Sequence, residues 1–296
     1  MTFEKTANRF GAVALLLAAS LAAVGCGDDD AGPTPLTDMG GGTDMNRTDL
    51  GGGDVDLGTS ADLGAPLDMP AATDAGAAVD AAFPMGTLTI NGTITELTAT
   101  GEGGVIAGAT ICVIEPAGGP CVTSAADGTF TATGIPENTE MLIEITKDAF
   151  MPALATVTSG TIDVDFSYLI ARRTTVATLG FVISETIMPT KGQIFAQIGA
   201  AGGGGAAGVT VTLTPTSGAG PFYATAAGVP SRTLTETTTS GTAIFANVDP
   251  GDYVVTFSHA TLTCTPTGFA WAGTAAETTR LPVQADHITS TIVTCI

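Results

Sequence analysis

The stretch Gly108-Ala109-Thr110-Ile111-Cys112-Val113 decides the fold, and Gly208-Val209-Thr210-Val211-Thr212-Leu213 repeats its pattern one hundred residues later. In both stretches a glycine is followed by alternating residues. The apolar ones are Ala109, Ile111 and Val113 in the first stretch and Val209, Val211 and Leu213 in the second, and threonine or cysteine stands between them. This period of two is typical of a β-strand that buries one face. Because a strand needs partners for its backbone groups, the repeat predicts that a β module occurs twice in the chain.

Two further pairs of segments support the duplication. Residues 127–136 correspond to residues 240–249, with a bulky Phe130 and a small Ala132 in the first module exchanged for Ala243 and Phe245 in the second. The exchange conserves the total side-chain volume. The closing strands also match by alternation, and their apolar positions are Met141, Ile143 and Ile145 in one module and Tyr253, Val255 and Phe257 in the other. The sequence therefore predicts an all-β protein with two tandem β-sandwiches.

The order Gly-x-Val-x-Val, Asp-Gly-x-Phe and Val-x-Pro-Gly-x-Tyr resembles the carboxypeptidase regulatory-like family and its transthyretin-like and Cna-B-like relatives. The likeness extends over residues 85–168 and 191–296, where Asp249-Pro250-Gly251-Asp252-Tyr253 matches the family turn. In the first module Asn138 stands near the position of the turn glycine, and asparagine tolerates the left-handed conformation. The resemblance implies small seven-stranded, Ig-like sandwiches without catalytic residues.

Cna-B-like modules sometimes carry a lysine isopeptide bond, which makes Lys191 a candidate, with Glu236 and Asp286 as companions. Because Lys191 lies outside the predicted strand, we expect an ordinary solvated lysine there.

The first 26 residues have the pattern of an export signal. Lys5 and Arg9 precede an apolar run that is too short to span a membrane, and the run ends at Ala23-Val24-Gly25-Cys26. This end resembles the lipobox of bacterial lipoproteins, although Ala23 stands where leucine is usual. We therefore expect acylation of Cys26, with an ordinary signal peptide and an incidental cysteine as the alternative.

Residues 27–84 form a separate acidic segment. It contains 12 Asp against the single Arg47, and seven of the Asp residues fall on a six-residue grid between Asp38 and Asp80. Such a composition predicts a disordered tether, extended by its own charge. A left-handed β-helix and a calcium loop around Asp54 and Asp56 are alternatives. Between the modules, residues 169–190 break the alternation and predict a connector that could contain a short helix.

Four cysteines remain once Cys26 is acylated. They are Cys112 and Cys121 in the first module and Cys264 and Cys295 in the second. Two per module in an exported chain predict two disulfides, each within one module. The chain-entropy model assigns them about 3 and 4 kcal/mol.

The sequence contains few candidate catalytic or ligand-binding residues. The chain has a net charge of -20, which argues against nucleic acid as a partner. We find no catalytic motif, no metal-ligand spacing and no implied cofactor. Trp271 and Tyr223, with Phe222 and Phe269 nearby, could form an exposed platform for a sugar, whereas packing in the core or between the modules is the competing interpretation.

These observations predict a non-enzymatic lipoprotein of the bacterial cell envelope. Its partner would be the lipid bilayer, through acylated Cys26, and an extracellular protein or glycan is a further expected contact. The expected location is the outer membrane, facing the periplasm or the exterior. The modules would serve structural or adhesive contact, and the alternative is a carbohydrate-binding protein that uses Trp271.

Overall fold

The computed structural model describes residues 83–98 and 101–296 of the chain. The predicted export signal, Cys26 and the acidic tether up to residue 82 lie outside the described residues. Within the described residues, no helix is long and apolar enough to cross a membrane.

The first module contains eight strands in two layers. One layer, the first cover sheet, is centred on β1, which pairs with β5 and β2 along one edge and in parallel with β8 along the other. The other layer consists of β7, β6, β3 and β4 in that order. The strands are β1 (Leu88–Thr98), β2 (Gly101–Val105), β3 (Thr110–Glu115), β4 (Cys121–Thr123), β5 (Thr129–Ile135), β6 (Glu140–Thr146), β7 (Ala153–Thr158) and β8 (Val164–Ala171).

The second module repeats the arrangement with ten strands. Its second cover sheet has the order β10-β14-β17-β16, and its other layer has the order β12-β11-β13-β9-β18, with β15 paired to β18. The strands are β9 (Gly192–Ala200), β10 (Thr210–Thr214), β11 (Ala219–Ala224), β12 (Pro230–Ser231), β13 (Thr242–Val248), β14 (Gly251–Ser258), β15 (Cys264–Gly268), β16 (Trp271–Ala272), β17 (Thr278–Val283) and β18 (Ile288–Cys295).

The strand β18 joins the two modules into one sheet. It pairs in parallel with β9 over its full length, and its residues Ile288, Thr289 and Ser290 also pair in parallel with Ala153, Leu154 and Ala155 of β7. The result is a continuous ten-stranded sheet, called here the shared sheet. The prediction treated each sandwich as complete in itself, whereas the last strand of the second module completes a sheet of the first.

The two cover sheets lie on opposite faces of the shared sheet. Ala153 and Ala155 belong to the first hydrophobic core, so Ile288 and Ser290, which lie opposite them in the register, point to the same face. Thr289 points to the other face, where its hydroxyl donates a hydrogen bond of 2.8 Å to Pro282 O in the second cover sheet. Each module therefore leaves one face of its part of the shared sheet to be covered by something else.

The alternation quoted from the sequence accounts for both cores. Ile111 and Val113 are buried in the first core and Val211 and Leu213 in the second. The exchanged pairs and the closing strands are buried as well, at the positions Phe130, Ala132, Ala243, Phe245, Met141, Ile143, Ile145, Tyr253, Val255 and Phe257. Asn138 has φ 48°, as the turn at this position requires. The all-β sandwich prediction is confirmed.

Both predicted disulfides are present. Cys112 lies directly opposite Cys121 in the register of β3 and β4, and Cys264 lies directly opposite Cys295 in that of β15 and β18. The second bond fastens the far end of β18, the strand on which both modules depend.

Two boundaries and the number of strands differ from the prediction. Phe83, assigned to the tether, is 6% exposed and packs in the first core. The strand β8 continues past Tyr168 to Ala171, because Ile170 is also a core residue. The modules have eight and ten strands where the resemblance implies seven each.

The connector contains one helix, α1 (Arg173–Val182). Val176 and Ile183 pack inward, towards Ile288 and Phe222 respectively. Phe181, near the end of the helix, is 84% exposed.

Because one strand serves both modules, we expect them to unfold together. In urea, the fluorescence of Trp271, the only tryptophan, and the far-ultraviolet circular dichroism should follow the same transition. A fluorescence change that precedes the loss of β-structure would show that the modules separate before they unfold.

Candidate functional site

Trp271 lies at the seam between the modules. It is 9% exposed, and its indole Nε1 donates a hydrogen bond of 3.1 Å to Met141 O in β6. The ring packs against Leu142 and Leu154, which project from the side of the first module's sheet opposite its own core. The proposal of an exposed sugar platform at Trp271 is therefore wrong, and packing between the modules is the correct interpretation.

The other candidate aromatic residues are also engaged inside the protein. Tyr223 is 2% exposed, its hydroxyl accepts a hydrogen bond of 2.9 Å from Val211 N, and burial raises its pKa. Phe222 packs against Ile183. Phe269 reaches from the second module to the first, where its ring lies 5.2 Å from that of Phe166. The four aromatic side chains thus stabilise the fold and do not form a common surface.

Charged side chains connect the modules around Trp271. The Arg280 guanidinium lies over the Trp271 ring, with Cζ 5.7 Å from the ring centroid, and its Nη2 is 2.6 Å from a carboxylate oxygen of Glu140. His287 Nε2 lies 3.0 Å from Glu144 Oε1. Glu140 and Glu144 belong to β6 in the first module, so both contacts cross the seam.

An ion pair also fixes the connector to the second module. Arg173, the first residue of α1, makes two hydrogen bonds of 2.6 Å to the carboxylate of Asp286. This contact holds the pKa of Asp286 below its usual range, and it raises the pKa of Arg173. The fork geometry of arginine makes such paired contacts specific in direction.

A groove lies beside the seam, on the face of the shared sheet that the second cover sheet does not occupy. Its floor consists of half-buried side chains from β9, β13 and β18, among them Phe195, Ile244 and Ile292. Its walls include Leu179 of α1 and Leu97 of β1. The cavity volume is about 360 Å³. Ligand sites in proteins commonly have volumes of about 300–1,000 Å³ and apolar linings.

The polar groups of the groove are mostly satisfied within the protein. Gln197 Nε2 donates to Ser240 O at 3.0 Å, its Oε1 accepts from Thr242 Oγ1 at 3.3 Å, and the buried Tyr168 hydroxyl donates to Leu154 O at 3.0 Å. Gln193 and Thr291 are the exceptions: Thr291 Oγ1 has no partner among the described residues, and its side chain lies on the face of β18 that carries the second core, opposite Ala196. Gln193 lies in β9, two residues before Phe195. It is 5% exposed and its Oε1 accepts a hydrogen bond from Asn247 N, but its Nε2 has no partner among the described residues. No sequence signal indicated this groove, because its floor and walls come from distant parts of the chain.

The remaining sequence candidates do not gather into a chemical site. Lys191 forms an ion pair with Asp249, and Ser217 also donates to this carboxylate, which lowers the pKa of Asp249. The companions considered from the sequence were Glu236 and Asp286, and Asp286 binds Arg173 instead. In the described part of the chain, no three His, Cys, Asp or Glu side chains are placed to hold a metal ion.

No protein-family model matches the chain. No curated protein matches it either. Solved structures with a similar fold include a minor pilin of Streptococcus agalactiae, 12% identical, covering 71% of this chain and 95% of the pilin at a TM-score of 0.25. The shaft pilin SpaA of Lactobacillus rhamnosus GG is 12% identical, with 71% and 98% covered and a TM-score of 0.23.

A third similar structure is the Bacillus anthracis TIE protein, which is 11% identical at a TM-score of 0.25. The match covers 71% of this chain but only 34% of the TIE protein, so this chain spans about a third of that protein's length. Likeness at this level carries no argument about this chain.

Removing the Trp271 side chain should destabilise the whole described region. We expect Trp271→Ala to lower the free energy of unfolding by about 3–5 kcal/mol, because it leaves a cavity and an unpaired Met141 carbonyl. Urea unfolding followed by circular dichroism measures the change. As a control, Phe181→Ala should change stability by less than about 0.5 kcal/mol, because Phe181 is exposed. A Trp271→Ala protein as stable as this control would show that the seam is not held by the indole.

The pair of Arg173 and Asp286 should make stability depend on pH in acid. Because the pKa of Asp286 is lower in the folded state, the pair stabilises the protein above the ordinary aspartate value of about 4. This contribution is lost as the pH falls through the folded-state pKa. Asp286→Asn should therefore lower the melting temperature at pH 7, and the difference from the unmodified protein should vanish near pH 2.

The matched control for this prediction is Asp148→Asn, since Asp148 is exposed and forms no ion pair within the described residues. It should leave the melting temperature unchanged at pH 7. An Asp286→Asn difference that persists at pH 2 would mean that the substitution acts through packing and not through charge.

Proposed function

We propose that this chain is a non-enzymatic lipoprotein of the bacterial cell envelope whose two β modules act as one rigid body in structural or adhesive contact. The observation that carries the proposal is the shared sheet. A protein that transmits or resists a mechanical load benefits from modules that cannot swing apart, and β18 prevents such motion by pairing with both modules at once.

The contacts around the seam support rigidity further. Trp271 fills the space between the modules, and Arg280 and His287 reach across to Glu140 and Glu144. Interfaces between domains that move are usually small and polar, whereas this one combines backbone pairing with a buried indole.

The anchoring part of the proposal rests on the sequence. The run before Cys26 has the pattern of an export signal, and two disulfides in the described region suit an oxidising compartment outside the cytoplasm. The acidic segment 27–82 would hold the rigid body away from the lipid surface. At about 3.3 Å per residue, 56 residues could extend over roughly 185 Å at most.

Expression of the full chain in a lipoprotein-processing bacterium tests the anchor. With an alkyne analogue of palmitate in the medium, the chain should become labelled and sediment with membranes. Cys26→Ser should abolish the label and leave an unprocessed precursor.

The control is the double variant Cys112→Ser/Cys121→Ser, which removes two cysteines but leaves the acylation signal intact, so it should keep the label. Labelling that survives Cys26→Ser would remove the lipid anchor from the proposal. It would leave the rigid two-module body, which rests on the structure, unaffected.

A further inference from the structure

His287 lies at the seam with a hydrogen-bond acceptor at each of its two ring nitrogens. Its Nδ1 is 2.7 Å from Ala285 O in the turn between β17 and β18, and its Nε2 is 3.0 Å from Glu144 Oε1 in β6. A carbonyl oxygen and an ionised carboxylate can only accept hydrogen bonds. A neutral imidazole has one N–H and can donate to one of these oxygens, whereas the imidazolium can donate to both.

The position of His287 makes its charge matter to both modules. The residue comes directly before β18, and its backbone oxygen accepts a hydrogen bond of 2.8 Å from Gln193 N in β9. The next residue, Ile288, donates its backbone N–H to Pro152 O, directly before β7 of the first module. Because the His287 side chain is only 14% exposed, water is a poor substitute for a ring contact that is lost.

The charges near the ring come from several neighbouring elements. Glu144 of β6 bonds to the ring, and Asp286 of the same turn is held by Arg173 of α1. The strand β7 carries no ionisable side chain. Glu144 is therefore the partner whose attraction depends on a proton on the ring. The other cations of the adjoining elements have partners of their own, which are Asp249 for Lys191, Glu140 for Arg280 and Gly108 O for Lys147.

We propose that the imidazolium of His287 is a proton-dependent latch between the two modules. The charged ring holds the turn before β18 through Ala285 O and the first module through Glu144. When the ring loses a proton to solvent, one ring nitrogen presents a lone pair to an oxygen at hydrogen-bond distance, so one contact becomes repulsive and is lost. The latch therefore strengthens the seam between about pH 4.3 and 6.5, where glutamate is ionised and histidine is charged, and this contribution is lost at alkaline pH. The inference does not depend on the lipid anchor.

A double-mutant cycle measures the latch. Urea unfolding of the full chain, of His287→Gln, of Glu144→Gln and of the double variant gives the coupling between the two side chains. At about pH 5.5 we expect the coupling to raise the ratio of folded to unfolded protein about fivefold, and at about pH 8.5 by less than about twofold. A coupling that does not fall between the two pH values would overturn the proposal.

The matched control is the other ion pair that crosses the seam, between Arg280 and Glu140. Neither a guanidinium nor a glutamate normally titrates between about pH 5.5 and 8.5. The cycle made from Arg280→Gln and Glu140→Gln should therefore give the same coupling at both pH values. If it falls in parallel with the coupling of His287 and Glu144, the seam opens at alkaline pH for a different reason, and the proposal is wrong.

The other histidine of the chain provides an internal reference that needs no change to the seam. His259 Nδ1 accepts hydrogen bonds from Thr261 N at 3.1 Å and Leu262 N at 2.9 Å, so these contacts require an Nδ1 without a proton. His287 Nδ1, in contrast, must donate to a carbonyl oxygen. In ¹⁵N spectra of the ring nitrogens at about pH 6, assigned with His287→Gln, Nδ1 should be protonated in a larger fraction of molecules in His287 than in His259. An equal fraction or the reverse order would overturn the proposal.

Discussion

The parallel pairing of β18 with β9 on one side and β7 on the other is the constraint on which the rest of the structure depends. A strand inside a sheet must satisfy its backbone groups on both edges, and β18 finds partners in both modules. Along its second edge, β18 pairs with β7 at Ile288–Ser290 and with β15 at Ile292–Cys295. The disulfide from Cys295 to Cys264 therefore stabilises β15 and, through β18, both modules.

Because of this pairing, the two cover sheets lie on opposite faces of the shared sheet. This arrangement explains which side chains meet at the seam between the modules. The outer face of β6 and β7 would expose Leu142 and Leu154 to water if the first module stood alone. Trp271, at the end of the second cover sheet, covers both. Burial of a tryptophan ring can stabilise this junction by several kcal/mol only because its Nε1 also finds an acceptor in Met141 O. The ends of the shared sheet need no such cover, since β4 and β12 are only three and two residues long and offer little edge for further pairing.

The sequence predicted what local periodicity and short spacing can specify. Alternation identified the inward residues Ile111, Val113, Val211 and Leu213, and two cysteines per module identified the disulfides. The partner of β18 could not be predicted in this way, because nothing in the spacing of Ile288 or Ser290 points to residues 153–155. Trp271 illustrates the same limit. A lone tryptophan near other aromatic residues suits a binding surface or a packing contact equally, and only its distance to Met141 decides between them. The groove was missed for the same reason, since Leu97, Leu179 and Ile292 become neighbours only after both modules are joined.

The groove is a consequence of joining two sandwiches through one strand. Each cover sheet protects one face of the shared sheet, and α1 covers part of the remaining face of the second module through Val176 and Ile183. The uncovered part would be a large apolar patch if every side chain there were aliphatic. Instead, Gln197 and Ser290 lie beside Ile292 and Phe195 on this face, and the polar atoms of Gln197 are satisfied by Ser240 O and Thr242 Oγ1. Such a surface tolerates water while it is empty. Gln193 Nε2 also lacks a partner in the described chain, but this atom has no accessible surface, so its unmet hydrogen bond is a cost to the packed sheet and not a feature of the groove surface.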